Sequence, residues 1–364
     1  MLRYVTSTYP SISLIADPST AQDLSQKLPS KVLCAATHHH DTQNAAASDL
    51  IRELPNIHTK ADLIATFGGD GTILRASSLF STSDTAPPIL AFAMGTLGFL
   101  GEWKFRDYKQ AFRQVYMSGA THERLAGSAF DQKMEATTAR GEDGWKQSRA
   151  QALGESRTAR VLFRRRLKVE LKAPGGAVSS WSEKQEHHAM NEVLLYRGAN
   201  PHLIHIQIHI NGRFLTEAVA DGMIVSTPTG STAYSLSSGG SIIHPLVPAL
   251  LLTPICPRSL SFRPLVLPAS SEITLTLSEK NRNKEAEWSI DGLRRPDGVG
   301  IGYQIRVTGE QPRSNHTKGS DKDATPEICG VPFVMRASVD ENDDGWVGGL
   351  TNLLKFNYPF AEED

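Results

Sequence analysis

Ile204, Ile206, Ile208 and Ile210 alternate with His205, Gln207 and His209, and Asn211-Gly212 follows at once. Successive side chains on a strand point to opposite faces, so this run predicts a strand with one buried and one wet face. Asn-Gly supplies the positive φ angles of the two-residue hairpin turn that closes it. Runs of strand character at 161–171, 190–196, 218–226, 273–277, 288–290 and 300–307 continue the theme, and residues 160–310 are expected to form an all-β domain. The first 119 residues follow another rule. Short apolar runs at 11–16, 63–67 and 89–94 alternate with helix-like stretches at 73–80 and 108–117, the pattern of parallel βα units. Two periods in one chain therefore predict an α/β N-terminal domain, Rossmann-like in its layers, followed by an all-β C-terminal domain.

The connecting stretches carry neither period. Residues 120–159 are rich in Gly, Ser, Thr, Gln and charge and are expected to be a mobile insertion. Residues 311–344 are polar and acidic toward their end and read as a flexible linker. Trp346, Leu350, Leu353 and Leu354 then recur at helical spacing, so 345–364 predicts a C-terminal helix returning to the body. A length of 364 residues, 40% of them hydrophobic, suffices for two cores. A formal net charge of -1 removes the basic footprint that a nucleic-acid binder needs. The run Arg164-Arg165-Arg166 is accordingly read as a solvated strand or loop, with an anionic ligand as the alternative. Cys34, Cys256 and Cys329 are too scattered for a zinc site or a disulfide framework. The most apolar tract, 246–256, is cut by Pro248 and Pro254 and falls short of the roughly 18 residues a membrane span requires. The histidines at 38–40 and 187–188 lack accompanying ligand spacing and are expected to be exposed or core residues.

Chemistry concentrates in four short segments. In Ala65-Thr66-Phe67-Gly68-Gly69-Asp70-Gly71-Thr72 an apolar strand ends in three glycines enclosing one carboxylate, and a helix follows. Such a turn can lay its N–H groups against a polyphosphate at a helix N-terminus. A carboxylate there would repel a nucleotide unless it meets Mg²⁺ or takes a proton from an attacking hydroxyl; the bland alternative is an Asp-Gly turn. The second segment runs from Ala220-Asp221-Gly222 through Ser226-Thr227-Pro228-Thr229-Gly230-Ser231-Thr232-Ala233-Tyr234 to Ser237. It offers short hydroxyls suited to a sugar or purine edge and a helix that Ser231 would cap. Otherwise it is a Ser/Thr-rich loop serving its own helix. Asn191-Glu192 stands inside an apolar strand, where an amide and a carboxylate are costly without partners. They would grip ribose hydroxyls, or one would simply face solvent. Asp291-Gly292, after Trp288-Ser289-Ile290, reads by itself as a hairpin turn.

The combination of GGDGT at 68–72, the Asn191-Glu192 pair, the motif from Asp221 to Gly240 and SIDG at 289–292 resembles the NAD kinases. That family is a branch of a superfamily that also holds phosphofructokinases and diacylglycerol kinases. The resemblance covers residues 9–307 and 346–360 and includes a similar loop at Gly95-Thr96-Leu97-Gly98-Phe99-Leu100. The stretches at 202–203, 220–222, 246–249 and 255–264 are similar to the fungal mitochondrial NADH kinase branch. It implies ATP-dependent phosphorylation of the adenosine-ribose 2′-hydroxyl of NAD⁺, NADH or both, with Asp70 as the base and Gly68, Gly69, Gly71 and Thr72 as the phosphate loop. Asn191, Glu192, Asp221, Thr232, Ala233, Tyr234 and Ser237 would line the NAD(H) site with Phe99 beside it, and Asp291 is a further candidate.

The same resemblance implies homo-oligomers and the substrates ATP and NAD(H), with Mg²⁺ carried by ATP as the expected metal and no tightly bound prosthetic group; charge and hydropathy, as above, give no expectation of a nucleic-acid or membrane partner. It places the protein in the mitochondrial matrix, with the cytoplasm as the alternative because no presequence is legible ahead of the strand at 12–16. A basic strand and helix that the family carries ahead of 9–18 have no counterpart, so the N-terminal domain is expected to be truncated. A dehydrogenase of the dinucleotide-binding type is disfavoured, because Gly298, Gly300 and Gly302 do not make GxGxxG between a strand and a helix. A P-loop kinase is disfavoured by the lack of GxxxxGK[ST]. A non-catalytic NAD(H)-binding regulator and a lipid kinase sharing GGDGT remain as alternatives. The first has no use for Asp70, and the second would lack the Asn-Glu and STPTGSTAY segments.

Overall fold

The computed structural model describes residues 1–25, 27, 32–35, 53–54, 60–83, 85–95, 98–119, 159–176, 187–311, 329–336 and 346–354. The expected insertion lies outside the described residues except for Ala159, which is buried in the core. In chain order the elements begin with α1 (Leu2–Thr8), β1 (Leu14–Ala16), α2 (Pro18–Ser25), β2 (Val32–Ala35), β3 (Glu53–Leu54), β4 (Ile64–Phe67), α3 (Asp70–Ser78), β5 (Ile89–Ala93), β6 (Trp103–Lys104) and α4 (Tyr108–Gly119). Strands then dominate: β7 (Val161–Arg164), β8 (Leu167–Lys172), β9 (His187–Ala189), β10 (Glu192–Tyr196), β11 (Ile204–Ile210), β12 (Arg213–Ala220) and β13 (Gly222–Ser226). After the short helix α5 (Tyr234–Ser237) come β14 (Ala249–Ile255), β15 (Leu265–Pro268), β16 (Glu272–Leu277), β17 (Glu285–Ile290), β18 (Leu293–Arg294), β19 (Val299–Gly300), β20 (Gln304–Gly309), β21 (Val331–Val334) and finally α6 (Trp346–Leu353). The chain divides into two compact units, one of residues 1–73, 87–162 and 334–364, the other of 74–86 and 163–333.

In the first unit β1, β2 and β3 run parallel, as do β4, β5 and β6. Parallel strands are buried on both faces, and β5 is buried at every position. Leu90, Phe92 and Trp103 share a core with Ala111, Phe112 and Val115 of α4, and Phe67 stacks on Phe92 with ring centroids 5.5 Å apart. The same core takes in Val334, whose carbonyl accepts the Trp103 indole N–H at 3.1 Å. This corrects the expected linker at 311–344. Its Val331–Val334 portion is a fully buried strand in a sheet of order β4-β5-β21-β7. Four residues are too few to show a period, and the polar flanks at 312–328 and 337–345 hide them.

The second unit holds two antiparallel sheets of order β15-β14-β13-β10-β17-β18 and β12-β11-β16-β20-β8-β9. Their facing sides share one core: Ile204, Ile206 and Ile208 of β11 pack with Val193 and Leu195 of β10, Met223 and Val225 of β13 and Trp288 of β17. Asn211 and Gly212 take φ of 52° and 73°, the hairpin corner that the alternation requires. Two runs that read as single strands are split where the chain changes sheet. The run at 161–171 breaks at Arg165-Arg166, and that at 218–226 breaks at Asp221. At the second break a side chain on Gly222 would stand 2.6 Å from the Leu195 carbonyl oxygen, so only glycine fits. The tract cut by prolines is β14, buried throughout. Pro254 is tolerated because β15 pairs only with Ala249–Leu252, leaving no ladder partner on that side.

The arginine run is also corrected: Arg164 and Arg166 are buried. Arg166 makes a bidentate pair with Glu310 at 2.6 and 3.0 Å and donates to the carbonyls of Phe80 and Ser83 at 3.2 and 2.9 Å. A guanidinium buried so fully needs its donors matched, and these four bonds take four of its five N–H groups. His188 is likewise a core residue, its Nδ1 3.0 Å from the Ser81 carbonyl oxygen. Among the described residues no helix is long and apolar enough to cross a membrane.

Candidate functional site

The glycine-rich turn of the first unit follows β4 directly. Gly68 donates its N–H to the Phe92 carbonyl at 3.0 Å, tying the turn to the end of β5, and α3 begins at Asp70, three residues earlier than its apolar pattern suggests. An acid in a first turn is favoured by the helix dipole. A side chain built on Gly69 or Gly71 would meet nothing within 4 Å, so these glycines leave open space above the turn and do not serve local packing. Thr72 is exposed beside them.

Asp70 is not in a free-standing Asp-Gly turn. Its Oδ2 accepts the Phe99 N–H at 3.0 Å and its Oδ1 the Leu100 N–H at 3.2 Å. Gly98 makes this approach possible, because a Cβ there would lie 2.0 Å from Oδ1. Each carboxylate oxygen keeps a second acceptor direction, so Asp70 can still receive a hydroxyl proton. Phe99 is half-buried and also touches α6, where a Cβ on Gly349 would stand 3.7 Å from its ring.

The second unit gathers Asn191, Glu192, Asp291 and the turn after β13. The chain leaves one sheet at Ala189 and enters the other at Glu192, and the junction carries three N–H groups with no strand neighbour. The Asp291 carboxylate accepts all three, from Met190 at 2.8 Å, Asn191 at 2.7 Å and Glu192 at 3.2 Å. Asp291 and Gly292 take φ of 49° and 75° between the closing pair Ile290 and Leu293. The hairpin turn read from sequence is therefore present, and its first side chain has a second use.

Burial drives the Glu192 carboxyl up to about 8, with the neighbouring Asp291 charge adding to the effect. Burial also raises Asp291 above the ordinary carboxylate value, against the three N–H groups that favour its charged form. Asn191 Oδ1 and Glu192 Oε2 are buried and have no hydrogen-bond partner. Buried acceptors without partners are costly and rare in folded proteins, which marks both as ligand-facing candidates.

The hydroxyl-rich turn is wired largely to itself. Thr227 Oγ1 donates to the Met190 carbonyl at 2.6 Å and accepts the Gly230 N–H at 3.0 Å. Ser231 does not cap α5. It donates to the Pro228 carbonyl at 2.6 Å and accepts the Ile243 N–H at 2.9 Å, leaving Ala233 at the helix N-cap without a side-chain bond. Thr232 is half-buried with its hydroxyl on the Thr229 carbonyl at 3.2 Å, while Tyr234 and Ser237 are exposed. Gly230 lies so close to Asn191 that a Cβ would stand 2.2 Å from the Asn191 carbonyl oxygen.

Asp221 is not brought to this cluster within the chain. Glu192 pairs with Ser226 and Tyr196 with Gly222, so Asp221 lies past the far end of β13, on the order of 16 Å along the chain from Ser226. There it pairs with Arg197 at 2.5 Å. Thr227, Gly230 and Gly98 are site residues that the sequence reading did not single out. All three stand inside the motifs, but their roles depend on partners far away in the chain.

Residues 1–120 match the ATP-NAD kinase N-terminal domain and residues 190–307 the ATP-NAD kinase C-terminal domain. The chain is 35% identical over 378 residues to the mitochondrial NADH kinase POS5 of Saccharomyces cerevisiae, covering 99% of this chain and 77% of that protein. It is 36% identical over 361 residues to the mitochondrial NADH kinase pos5 of Schizosaccharomyces pombe, covering 99% of this chain and 71% of that one. Its fold matches the crystal structure of yeast NADH kinase complexed with NADH with a TM-score of 0.68 at 33% identity, over 99% of this chain and 83% of that one. An N-terminal domain with parallel sheets, a β-rich C-terminal domain, and likeness to NADH kinases along nearly the whole chain together mean that this protein belongs to the NAD kinase family.

Proposed function

We propose that this enzyme transfers the γ-phosphoryl group of MgATP to the 2′-hydroxyl of the adenosine ribose of NAD(H), giving NADP(H) and ADP. The observation that carries the reading is the pair of buried, unpartnered oxygens on Asn191 and Glu192, set in a segment whose backbone is fully hydrogen-bonded. Such acceptors fit the hydroxyls of a ribose, and the relatives matched over nearly the full chain are named NADH kinases.

In this reading Asp70 takes the proton of the 2′-hydroxyl as that oxygen bonds to the γ-phosphorus and the bond to the ADP oxygen breaks. The open turn of Gly68, Gly69, Gly71 and Thr72 receives the polyphosphate, whose charge Mg²⁺ offsets. Thr232, Ala233, Tyr234, Ser237 and Phe99 line the dinucleotide. Asp221 contributes only if a second copy brings it, which fits a homo-oligomer. NADH is accepted at least as well as NAD⁺, and the protein acts in the mitochondrial matrix, both by likeness to the mitochondrial relatives. Incubation of purified protein with MgATP and either NADH or NAD⁺ tests the assignment. Formation of NADPH or NADP⁺ supports it, and ATP consumption that yields neither overturns it.

A further inference from the structure

Every backbone polar group from Met190 to Glu192 is engaged. The three N–H groups go to Asp291, as described. The Met190 carbonyl accepts Thr227 Oγ1 at 2.6 Å, the Asn191 carbonyl accepts the Thr227 N–H at 2.9 Å, and the Glu192 carbonyl accepts the Asp291 N–H at 3.0 Å. Two residues, one from the β17–β18 corner and one from the turn after β13, thus hold this sheet junction from both sides. A carboxylate is the side chain suited to the first task, since its two oxygens offer about four acceptor sites to three converging donors. The backbone is immobilised while Asn191 Oδ1 and Glu192 Oε2 stay unpartnered.

We propose that Asp291 and Thr227 are positioning residues: they clamp the Met190–Glu192 backbone so that Asn191 and Glu192 present their oxygens to the adenosine ribose, and neither touches the dinucleotide. This rests on the NAD(H) kinase reading for the identity of the ligand. Three N–H groups fill three of the roughly four acceptor sites of Asp291, and the Thr227 hydroxyl both donates and accepts within the protein's own backbone. A receptor held this way loses little freedom when it binds, so loosening the clamp weakens dinucleotide affinity selectively.

Asp291→Asn is the test, because asparagine also tolerates positive φ and keeps the hairpin corner while one acceptor becomes a donor facing an N–H. The Kd and KM for NAD(H) are expected to rise about tenfold or more, with the KM for ATP changed less than about twofold. Amide exchange at Met190 and Asn191 should quicken, an effect that does not depend on turnover. Thr227→Val should act in the same direction, and Thr227→Ser, which keeps the hydroxyl, should restore wild-type affinity. A folded Asp291→Asn protein with wild-type Kd for NADH overturns the proposal, as do equal rises in KM for both substrates. If Asp291→Asn does not fold, the Thr227 pair decides, and wild-type NADH affinity in Thr227→Val is then the refuting result. Wild-type protein that makes no NADP(H) instead overturns the kinase reading, while the exchange rates still report whether the clamp exists.

Discussion

Asp70→Asn separates two jobs of one carboxylate. In the native site its two oxygens accept two N–H groups, from Phe99 at 3.0 Å and Leu100 at 3.2 Å. An amide of the same shape has one acceptor oxygen, so one bond survives and the other becomes a donor facing a donor. Hydrogen bonds to charged groups contribute about 1.5–3 kcal/mol, and the half-exposed position argues for the lower end, about 1–2 kcal/mol of stability. The chemical loss is of another order. An amide cannot take the ribose proton, and losing a general base lowers kcat by about 10²–10⁴-fold. Steady-state kinetics at saturating NADH and MgATP, read beside a urea unfolding curve, measures both. NADH affinity by calorimetry should change little, since Asn191 and Glu192 are untouched. A folded Asp70→Asn protein with kcat within about fivefold of wild type would refute the base assignment. Asp70 would then be only the latch that holds the Gly98–Leu100 segment.

Gly98→Ala places a Cβ 2.0 Å from Asp70 Oδ1, so the carboxylate must swing off its two N–H groups; a stability loss of about 1–3 kcal/mol with a lowered kcat is expected, and unchanged values in both assays would contradict the geometry. Glu310→Gln removes the charge that matches Arg166 in a pair whose side chains are 2% and 7% exposed, and urea unfolding should show a loss of about 3–5 kcal/mol, whereas a loss below about 1 kcal/mol would mean the pair is not buried in solution. Glu192 titrates near 8 in the folded protein against 4.5 when exposed, so its neutral form is the one that folding favours. Its contribution is fully present below about pH 4.5 and is lost as pH rises toward 8, on the order of 4–5 kcal/mol in all. Glu192→Gln should flatten the stability profile over that window, and a profile as steep as wild type would show that Glu192 is not the group responsible.

Local pattern carried the strands with a wet face and the motifs with a fixed internal spacing. Ile204 to Ile210 could be only one kind of strand, and the apolar run before Gly68 could lead only into a turn that glycine makes possible. Pattern failed where burial is two-sided or the element short. β14 is apolar on both faces and interrupted by Pro254, so its period is invisible, although the fold places that proline beyond the last rung of β15. β21 is four buried residues between polar flanks. Arg166 was misread for a different reason: its charge is matched by Glu310, 144 residues away, and by two carbonyls more than 80 residues back. No local composition distinguishes such an arginine from a solvated one.

Three Asp-Gly pairs within the motifs show where sequence reasoning about a site runs out. Of the six Asp-Gly pairs in the sequence, Asp70-Gly71, Asp221-Gly222 and Asp291-Gly292 are the three in the motifs, and each reads locally as a turn after an apolar run. Of these three, Asp291-Gly292 alone closes a hairpin. Asp70 opens a helix and spends its carboxylate on N–H groups 29 and 30 residues ahead. Asp221 marks a change of sheet, where the glycine admits the Leu195 carbonyl and the acid pairs with Arg197. Asp291 reaches back 99 to 101 residues to hold a backbone it is nowhere near in sequence. What differs among them is the number and direction of N–H groups that the fold leaves without a strand neighbour: two at the loop before β6, none at Asp221, three at the junction of β9 and β10. A carboxylate goes where such donors converge. Convergence is a property of sheet order, so a site built on orphaned backbone donors becomes legible only after the strands have been placed.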